Sequence, residues 1–345
     1  MRWSVVVPGT VSDRLTEAAS QAEQAGIYRL WTTESPGRDA VLRSLHLLQA
    51  TKTLRSGTGI AFAFTRPPLA AAGSAADAYA LSGGRFSLGL GAGTRGQRRW
   101  FEQDFDHPAA RMADYVRAVK AVLRSAGAVR YTGPFYDFSV PRVHLAAPAD
   151  VLSQLKIYGG GLHEQMLRAI ARTCDGIVLH PLAGGVRYLD EVVLPVLEGT
   201  TPDDGERASL IIWCPLSIDE DEAAARRRAA EQLAFYFSTP SYLDVAARSG
   251  FGTVAGELVE RYNRSAGRPT FAELSSLIPD EMLRFFVVYG TPAQVASQLA
   301  GRAAGWRQRG VQEVALQISA QSVTAADLLA HLDQLAGIVA PIAAS

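Results

Sequence analysis

Short apolar runs alternate with amphipathic segments along the whole chain. The runs have strand length, and the segments that follow them carry apolar positions at helical spacing, so the pattern predicts repeated strand–helix units. The predicted strands cover residues 4–7, 27–32, 54–62, 86–91, 154–158, 175–179, 208–218 and 311–318. The predicted helices cover residues 14–25, 39–50, 69–81, 109–123, 162–172, 187–197, 219–237, 292–304 and 325–340. Eight strands, nearly all followed by a helix, favour an α/β fold of the (β/α)8 TIM-barrel type over an open sheet with a second domain.

Two segments depart from the alternation. Residues 129–140 contain two aromatic-rich runs around Gly133 and Pro134, which predicts a hairpin. Residues 238–285 contain several short helical pieces and no clear strand. Because no low-complexity linker marks a boundary, we expect one domain over residues 1–345, with a helical insertion at about 238–285 before the last strand–helix units.

Composition narrows the class of protein. Apolar residues make up 48% of the 345 positions, and 34 basic residues balance 34 acidic ones. A neutral total argues against a general binder of nucleic acid. Cys174 and Cys214 lack metal-ligand spacing and are interpreted as buried free thiols, and no metal site is predicted. Since neither a signal-peptide pattern nor a run of about 20 apolar residues is present, we expect a cytoplasmic protein without a membrane partner.

The segment Gly91-Ala-Gly93-Thr-Arg-Gly96 matches the G-x-G-x-x-G pattern of dinucleotide-binding folds. That fold also needs a helix that begins within the glycines and an acidic residue that ends the next strand. Here a long polar loop follows, the next helix begins near Pro108, and Asp114 lies inside that helix. In a barrel, the same glycines end the fourth strand at the active-site mouth, where they let a flat ring or a phosphate approach the backbone. The alternative is that they only turn the chain.

Other strand ends carry similar signals. Glu34 follows the second strand, Gly59 and Ile60 end the third, and His180 ends the sixth. Three glycines, Gly159, Gly160 and Gly161, stand between the fifth strand and the next helix. Free N–H groups at such a helix N-terminus favour an anion, so the sequence predicts an anion site there.

Several motifs resemble the bacterial luciferase-like superfamily, whose members are flavin-dependent monooxygenases and coenzyme F420-dependent oxidoreductases. They are LWTTES, SGTGIAFAFTRPPLAAAGSAADAYALSGGRFSLGLGAGT, RMADYVRAVKAVL, YTGPFYDF, IYGGG and CDGIVLHP. FYFSTPSY, IPDEML and VVYGTPAQVASQL are most similar to an actinobacterial F420-dependent branch. The resemblance implies a barrel that holds the cofactor ring over its mouth. It further implies a cis peptide bond at Gly59–Ile60, ring contacts from Gly91, Gly93 and Thr94, and a phosphate on Gly159–Leu162.

The sequence departs from the family at the second strand. Several F420-dependent members have an Asp-His pair there, whereas this chain has Glu34 and Ser35. The candidates for proton handling are therefore Glu34, whose alternative is an ion-paired structural acid, and His180, whose alternative is a rim histidine bonded to backbone. His163 is a phosphate contact or a surface residue.

A basic and aromatic loop follows the fourth strand. This loop contains Arg95, Arg98 and Arg99. They are expected either to hold an anionic group or to form a solvated basic loop. Trp100 and Phe101 are expected to pack that loop on the barrel.

The resulting expectation is an oxidoreductase that transfers a hydride between coenzyme F420 and a small organic substrate, by reduction of C=C, C=N or C=O or in reverse. The first alternative is a luciferase-like monooxygenase that uses reduced FMN from a partner reductase, and oxygen. The second is a cofactor-free barrel without activity. The family implies a homodimer. Aromatic residues near the insertion suit an apolar or cyclic substrate, or simply pack the core: Phe235, Tyr236, Phe237 and Tyr242.

Overall fold

Parallel strands close into a barrel around a filled interior. The computed structural model describes residues 1–94, 100–101, 106–264, 268–319 and 323–344. Within these residues, eight barrel strands follow one another as Arg2–Val7, Arg29–Thr32, Arg55–Thr58, Phe86–Gly91, Ile157–Gly161, Gly176–Leu179, Ser209–Ile218 and Val311–Ile318. The seventh strand pairs with the sixth and the eighth, and the eighth pairs with the first, so the barrel is closed. The predicted (β/α)8 TIM barrel is confirmed.

Helices surround the barrel and begin where local chemistry favours them. Their bounds are Leu15–Gln24, Ala40–Gln49, Pro68–Leu81, Pro108–Leu123, Ala149–Leu152, Glu164–Thr173, Val186–Tyr188, Leu194–Glu198, Glu222–Phe237, Leu243–Arg248, Gly252–Arg264, Phe271–Ser275, Asp280–Phe286, Pro292–Gln308 and Ala325–Ala344. Single 3-10 turns span Ala63–Thr65, Pro181–Ala183 and Pro240–Tyr242, and a π-helical turn spans Leu189–Val193. Asp39 caps its helix by accepting from the Leu42 N–H, and Pro108 begins the helix that the sequence predicts there.

Three strands differ from the prediction. The third is interrupted at Gly59–Ile60 and continues as Ala61–Phe62. The fifth extends to Gly161, beyond the predicted end at 158, because the glycines pair with both neighbouring strands. A short strand, Val288–Gly290, pairs with the end of the seventh and was not predicted, since three residues show no usable alternation.

The two segments outside the alternation are helical or hairpin-like. Val129–Thr132 and Asp137–Val140 form the predicted hairpin. Short helices occupy the described part of residues 238–285, and they place Pro240–Tyr242 beside the barrel mouth. That this stretch is an insertion into a single domain stays a prediction.

The barrel interior consists of large side chains. One layer contains Val6, Trp31, Tyr158, Val178, Ile211, Trp213 and Ala315. Beneath it, Arg29 pairs with Glu313 at 3.5 Å, and Glu313 accepts hydrogen bonds from Ser4 and Trp31. The interior is therefore a packed core and not a pore, and its top layer is the floor of the mouth.

The last helix is the most apolar one. Residues Ala325–Ile342 are long and apolar enough, by length and composition alone, to cross a membrane. In this fold Leu328, Leu332 and Leu335 are fully buried, and the helix packs on Leu15–Gln24 and Pro292–Gln308. Packing on the barrel accounts for its apolar character.

Both cysteines are buried free thiols, as predicted. Burial raises the pKa of Cys174 to about 12 and that of Cys214 to about 11. Neither thiol is therefore ionised near neutral pH, which fits a structural role.

Candidate functional site

A cavity of about 520 Å³ opens at the carboxyl ends of the barrel strands. Its volume lies within the range of small-molecule sites, roughly 300–1,000 Å³. Most of the predicted cofactor-binding residues line it: Gly59, Ile60, Gly91, Gly93, Thr94, Gly160, Gly161 and Leu162. His180 lines it as well, whereas Gly159 and Glu34 do not. The structure thus brings predicted site residues from four strand ends into one site.

Gly59 and Ile60 of the third strand form one wall of the cavity. The peptide bond between these residues is cis, as the resemblance implied. The N–H of Glu34 donates to the Ile60 carbonyl at 3.3 Å, and the Glu34 carboxylate accepts from the Phe62 N–H at 2.6 Å. Glu34 therefore stabilises this wall through hydrogen bonds on the side that does not face the cavity.

The carboxylate of Glu34 is engaged as an ion pair. Arg66 donates to Glu34 Oε1 and to Asp39 Oδ2, each at 2.7 Å, and the Glu34 side chain is only 6% exposed. The Tyr115 hydroxyl donates to the Arg66 carbonyl at 3.0 Å. Since the carboxylate turns toward Arg66 and does not line the cavity, the geometry does not support Glu34 as a proton donor to substrate. It supports the alternative, an ion-paired structural acid.

The strand glycines make room for side chains of the protein itself. A Cβ at Gly91 or Gly160 would stand 2.8 or 2.7 Å from Ile60, and one at Gly59 would stand 2.6 Å from Trp213. Only Gly93, at φ +69°, needs the left-handed region among the cavity glycines. These glycines therefore let Ile60 and Trp213 pack, and the wall that results faces the cavity. That they also serve the direct approach of a ligand stays a prediction.

The three consecutive glycines are also placed differently from the expectation. Gly159–Gly161 lie in the fifth strand, and the helix begins at Glu164 with His163 as its N-cap residue. Cβ atoms at Gly159 and Gly161 would clash with Ile170, so these glycines allow the helix to pack on the strand. The N-terminus of that helix still borders the cavity through Leu162, Gln165 and Met166. Its free N–H groups and dipole favour an anion there.

His163 lies at the edge of the site. Its Nε2 is 3.1 Å from the Ser241 carbonyl, and its side chain is half exposed. It lines the cavity and also connects the helix N-terminus to the turn Pro240–Tyr242. His163 is therefore half exposed and also lines the cavity, and its contact with a phosphate stays a prediction.

His180 is the polar side chain that the sixth strand brings into the cavity. Its Nδ1 accepts from the Leu182 N–H at 3.3 Å, which is the backbone bond of the rim-histidine alternative. Burial lowers the pKa of His180 to about 3, and the nearby His163 adds to the effect. The ring is therefore neutral, and because Nδ1 accepts, the assigned tautomer carries its hydrogen on Nε2.

Two tyrosines enclose the His180 ring. Tyr242 is 4.4 Å away between ring centroids at 31°, and Tyr236 is 5.2 Å away at 71°. The Tyr236 hydroxyl donates to Gln317 at 2.9 Å. Tyr242 lines the cavity, whereas Phe237 is fully buried and Phe235 is 43% exposed. Of the four aromatic residues singled out from the sequence, Tyr242 faces the site.

Sequence reasoning missed Trp213 and Met166, which both line the cavity. Register is the signal for Trp213: Ile212 pairs with Leu179, so Trp213 stands next to His180 on the neighbouring strand. The indole Nε1 of Trp213 is buried and has no hydrogen-bond partner among the described residues. Single-sequence patterns do not give strand register, which is why Trp213 was not recognised.

The loop after the fourth strand is described only in part. Arg95, Arg98 and Arg99 lie outside the described residues. The Phe101 ring is 5.3 Å from that of Phe62, as expected for packing on the barrel. Trp100 is 61% exposed, so the expectation that it packs there is wrong.

A larger cavity of about 730 Å³ lies beside Gly184–Arg187 and Trp306. Two of its charged groups, Arg187 and Glu191, pair with each other, and Asp190 pairs with Arg309. The mouth cavity is the better candidate for an active site, because it lies at the carboxyl ends of the barrel strands and brings the predicted site residues together.

Fold and cavity together define a TIM-barrel protein with a small-molecule site at the carboxyl ends of its strands. The chain belongs to the luciferase-like monooxygenase family, which matches residues 4–312. It is 30% identical over 310 residues to an uncharacterised protein of Mycobacterium tuberculosis, covering 86% of this chain and 89% of the relative. It is 28% identical over 315 residues to a proposed coenzyme F420-dependent oxidoreductase of the same organism, covering 86% and 88%.

A solved structure shares the fold over its whole length. The coenzyme F420-dependent tetrahydromethanopterin reductase of Methanopyrus kandleri superposes with a TM-score of 0.81 at 19% identity, covering 99% of this chain and 98% of that one. At this identity the similarity concerns the fold.

Proposed function

We propose that the protein is an oxidoreductase that transfers a hydride between coenzyme F420 and a small organic substrate. The observation that carries the proposal is the mouth cavity, where the wall of Gly59, Ile60 and Gly91–Thr94 meets the N-terminus of helix Glu164–Thr173. An apolar wall beside an anion-binding helix end suits a planar ring with a phosphate-bearing tail. The F420-dependent relative favours the deazaflavin over other rings of this shape.

The residues present fit such a cofactor. Ile60 and Gly91–Thr94 would contact the ring, and the N–H groups after Leu162 would receive the phosphate. The bound deazaflavin supplies the hydride chemistry. The chain itself contributes a dry wall and orients the ring, and His180 and Tyr242 line the same cavity.

A luciferase-like monooxygenase using reduced FMN is the second candidate, because the family that matches the chain is described by that activity. In that case a partner reductase would supply the reduced flavin. The same wall and helix end would hold FMN, since it also combines a planar ring with a phosphate.

Turnover with and without oxygen separates the two candidates. We expect reduced deazaflavin to be oxidised under strictly anaerobic conditions when an organic acceptor is added. A requirement for oxygen, together with use of FMN, would overturn the proposal in favour of the monooxygenase. No reaction and no binding with either cofactor would favour a cofactor-free barrel.

We further propose a cytoplasmic homodimer without nucleic-acid or membrane partners. Exposed apolar side chains in the first turns of neighbouring helices, Leu42 at 67% and Leu69 at 37%, support a contact between copies. Light scattering coupled to gel filtration should give twice the mass of the chain. A monomer at micromolar concentration would contradict the homodimer.

A further inference from the structure

His180 and Tyr242 each bring to the cavity a hydrogen-bond donor that the described residues leave without a partner, whereas the unpaired Nε1 of Trp213 is buried. Within the described chain, neither His180 Nε2 nor the Tyr242 hydroxyl has a hydrogen bond, although both residues line the cavity. Their ring centroids are 4.4 Å apart, with 31° between the ring planes, so the two rings form one surface. The neighbouring Tyr236 differs, because its hydroxyl is already used by Gln317. Polar groups in a largely apolar site that are left unpaired by the protein are those that a ligand pairs with.

His180 and Tyr242 both keep the protonation state in which they donate a hydrogen bond. Burial lowers the pKa of His180 to about 3 and raises that of Tyr242 to about 12. Across the neutral range the imidazole is uncharged with its hydrogen on Nε2, and the phenol keeps its proton. The surface formed by His180 and Tyr242 therefore presents donors and no base.

A pair of hydrogen-bond donors on one surface suits a carbonyl oxygen as the acceptor. A carbonyl oxygen has two lone pairs, an imine nitrogen has one, and an alkene carbon has none. Of the three acceptor groups C=O, C=N and C=C, only the first can receive both hydrogen bonds on one atom. Its oxygen also gains negative charge during reduction, so preorganised donors there stabilise the transition state more than the ground state.

We propose that His180 Nε2–H and the Tyr242 hydroxyl form a carbonyl-oxygen subsite, so that the substrates are ketones or aldehydes. This inference rests on the proposed function. The carbonyl carbon accepts the hydride from the bound reduced cofactor, and a C–H bond forms. The electron pair of the C=O π bond moves to oxygen, where both donors stabilise it, and a proton from water completes the alcohol. The carbonyl is reduced by two electrons and the deazaflavin is oxidised by two.

The test compares ketones with their methylene isosteres, for example acetophenone with α-methylstyrene and cyclohexanone with methylenecyclohexane. The protein with bound deazaflavin is titrated with each pair, and the infrared C=O stretch of the bound ketone is recorded. We expect tighter binding of each ketone than of its isostere and a C=O stretch shifted to lower frequency. In Tyr242→Phe we expect a smaller frequency shift and a kcat/KM for ketone reduction about 10- to 100-fold lower.

Matched variants separate the subsite from general packing. Tyr262→Phe removes a hydroxyl on a nearby helix whose ring stacks on Phe271 outside the cavity, and should leave every readout unchanged. His180→Leu should act like Tyr242→Phe, whereas His180→Gln restores a donor near the Nε2 position and should recover part of the frequency shift. Deazaflavin affinity should stay the same in Tyr242→Phe.

The outcomes distinguish the two proposals. Failure of the wild-type protein to bind reduced deazaflavin would overturn the proposed function and this inference with it. Intact deazaflavin binding without any preference for ketones over isosteres would overturn the carbonyl subsite alone. A Tyr242→Phe variant that loses cofactor affinity but keeps the carbonyl shift would show that the hydroxyl binds the cofactor, which also overturns the subsite.

Discussion

At the scale of single residues, Ile60 is the side chain around which the cavity wall is packed. Its side chain fills the space that Cβ atoms at Gly91 and Gly160 would occupy. Its carbonyl is bound by Glu34, whose carboxylate also fixes Phe62 and pairs with Arg66. The glycines at this mouth are therefore explained first by the packing of the Ile60 side chain. The cavity surface that this packing creates is the second explanation.

Gly160→Ala tests that explanation. The added Cβ would stand 2.7 Å from Ile60 Cγ2, so Ile60 must shift, at a cost of about 1–3 kcal/mol in unfolding free energy and with weaker cofactor binding. Gly256→Ala is the matched control, because it lies within a helix with open space around the new Cβ. We expect the control to be neutral or stabilising by about 0.5–1 kcal/mol in chemical denaturation. Equal stability of both variants would contradict the packing account.

His180 predicts a pH dependence of stability. Its folded-state pKa of about 3 lies below the ordinary value of 6.5, so the unfolded chain binds a proton in that window and the folded chain does not. The stabilisation is fully present above pH 6.5 and is lost as the pH falls toward 3. His180→Gln should show a shallower loss of unfolding free energy between pH 6.5 and 4 than the wild type. Equal slopes for His180→Gln and the wild type would contradict this role of His180.

At the scale of elements, the N-terminus of helix Glu164–Thr173 is the part of the site that an anion would use. Leu162 is fixed there by the Tyr188 hydroxyl, which donates to its carbonyl at 2.8 Å. Gln165 and Met166 of the first turn line the cavity. The helix therefore contributes through its backbone and dipole, not through a basic side chain in its first turn.

Gln165→Glu tests this use of the helix. A negative charge in the first turn favours the helix itself but opposes a phosphate at the same place. We expect the affinity for the phosphorylated deazaflavin to fall about 10-fold, which corresponds to about 1.4 kcal/mol. Affinity for the same deazaflavin without its phosphate should not change. A uniform loss for both compounds would indicate a perturbed ring site and contradict phosphate binding at this helix.

Element patterns explain how far the sequence could predict the structure. Strand and helix periodicity identified the barrel strands and the hairpin, because each element is long enough to show its period. Val288–Gly290 is too short for that, and the fifth strand ran further than predicted because its glycines carry no hydrophobic signal. At the site, strand ends identified Ile60 and His180 correctly as cavity residues. The position of Trp213 depends on strand register, and the direction of the Glu34 carboxylate depends on its ion pair with Arg66. A local sequence pattern contains neither kind of information.

At the scale of the whole molecule, closure of the barrel converts separate strand ends into one cavity. The eighth strand pairs with the first, and the filled interior of Trp31, Tyr158 and Trp213 supports the floor from below. The turn Pro240–Tyr242 then adds Tyr242 from the side. The wall around Ile60, the N-terminus of helix Glu164–Thr173 and the rings of His180 and Tyr242 thereby meet in one cavity of about 520 Å³.

An anaerobic equilibrium titration of the purified protein with reduced and oxidised coenzyme F420 and with FMN shows which cofactor the mouth cavity binds. We expect a dissociation constant in the micromolar range, equivalent to about 8 kcal/mol, for the deazaflavin and much weaker binding of FMN. Selective binding of FMN, or no binding of either compound, would overturn the proposed hydride transfer with coenzyme F420.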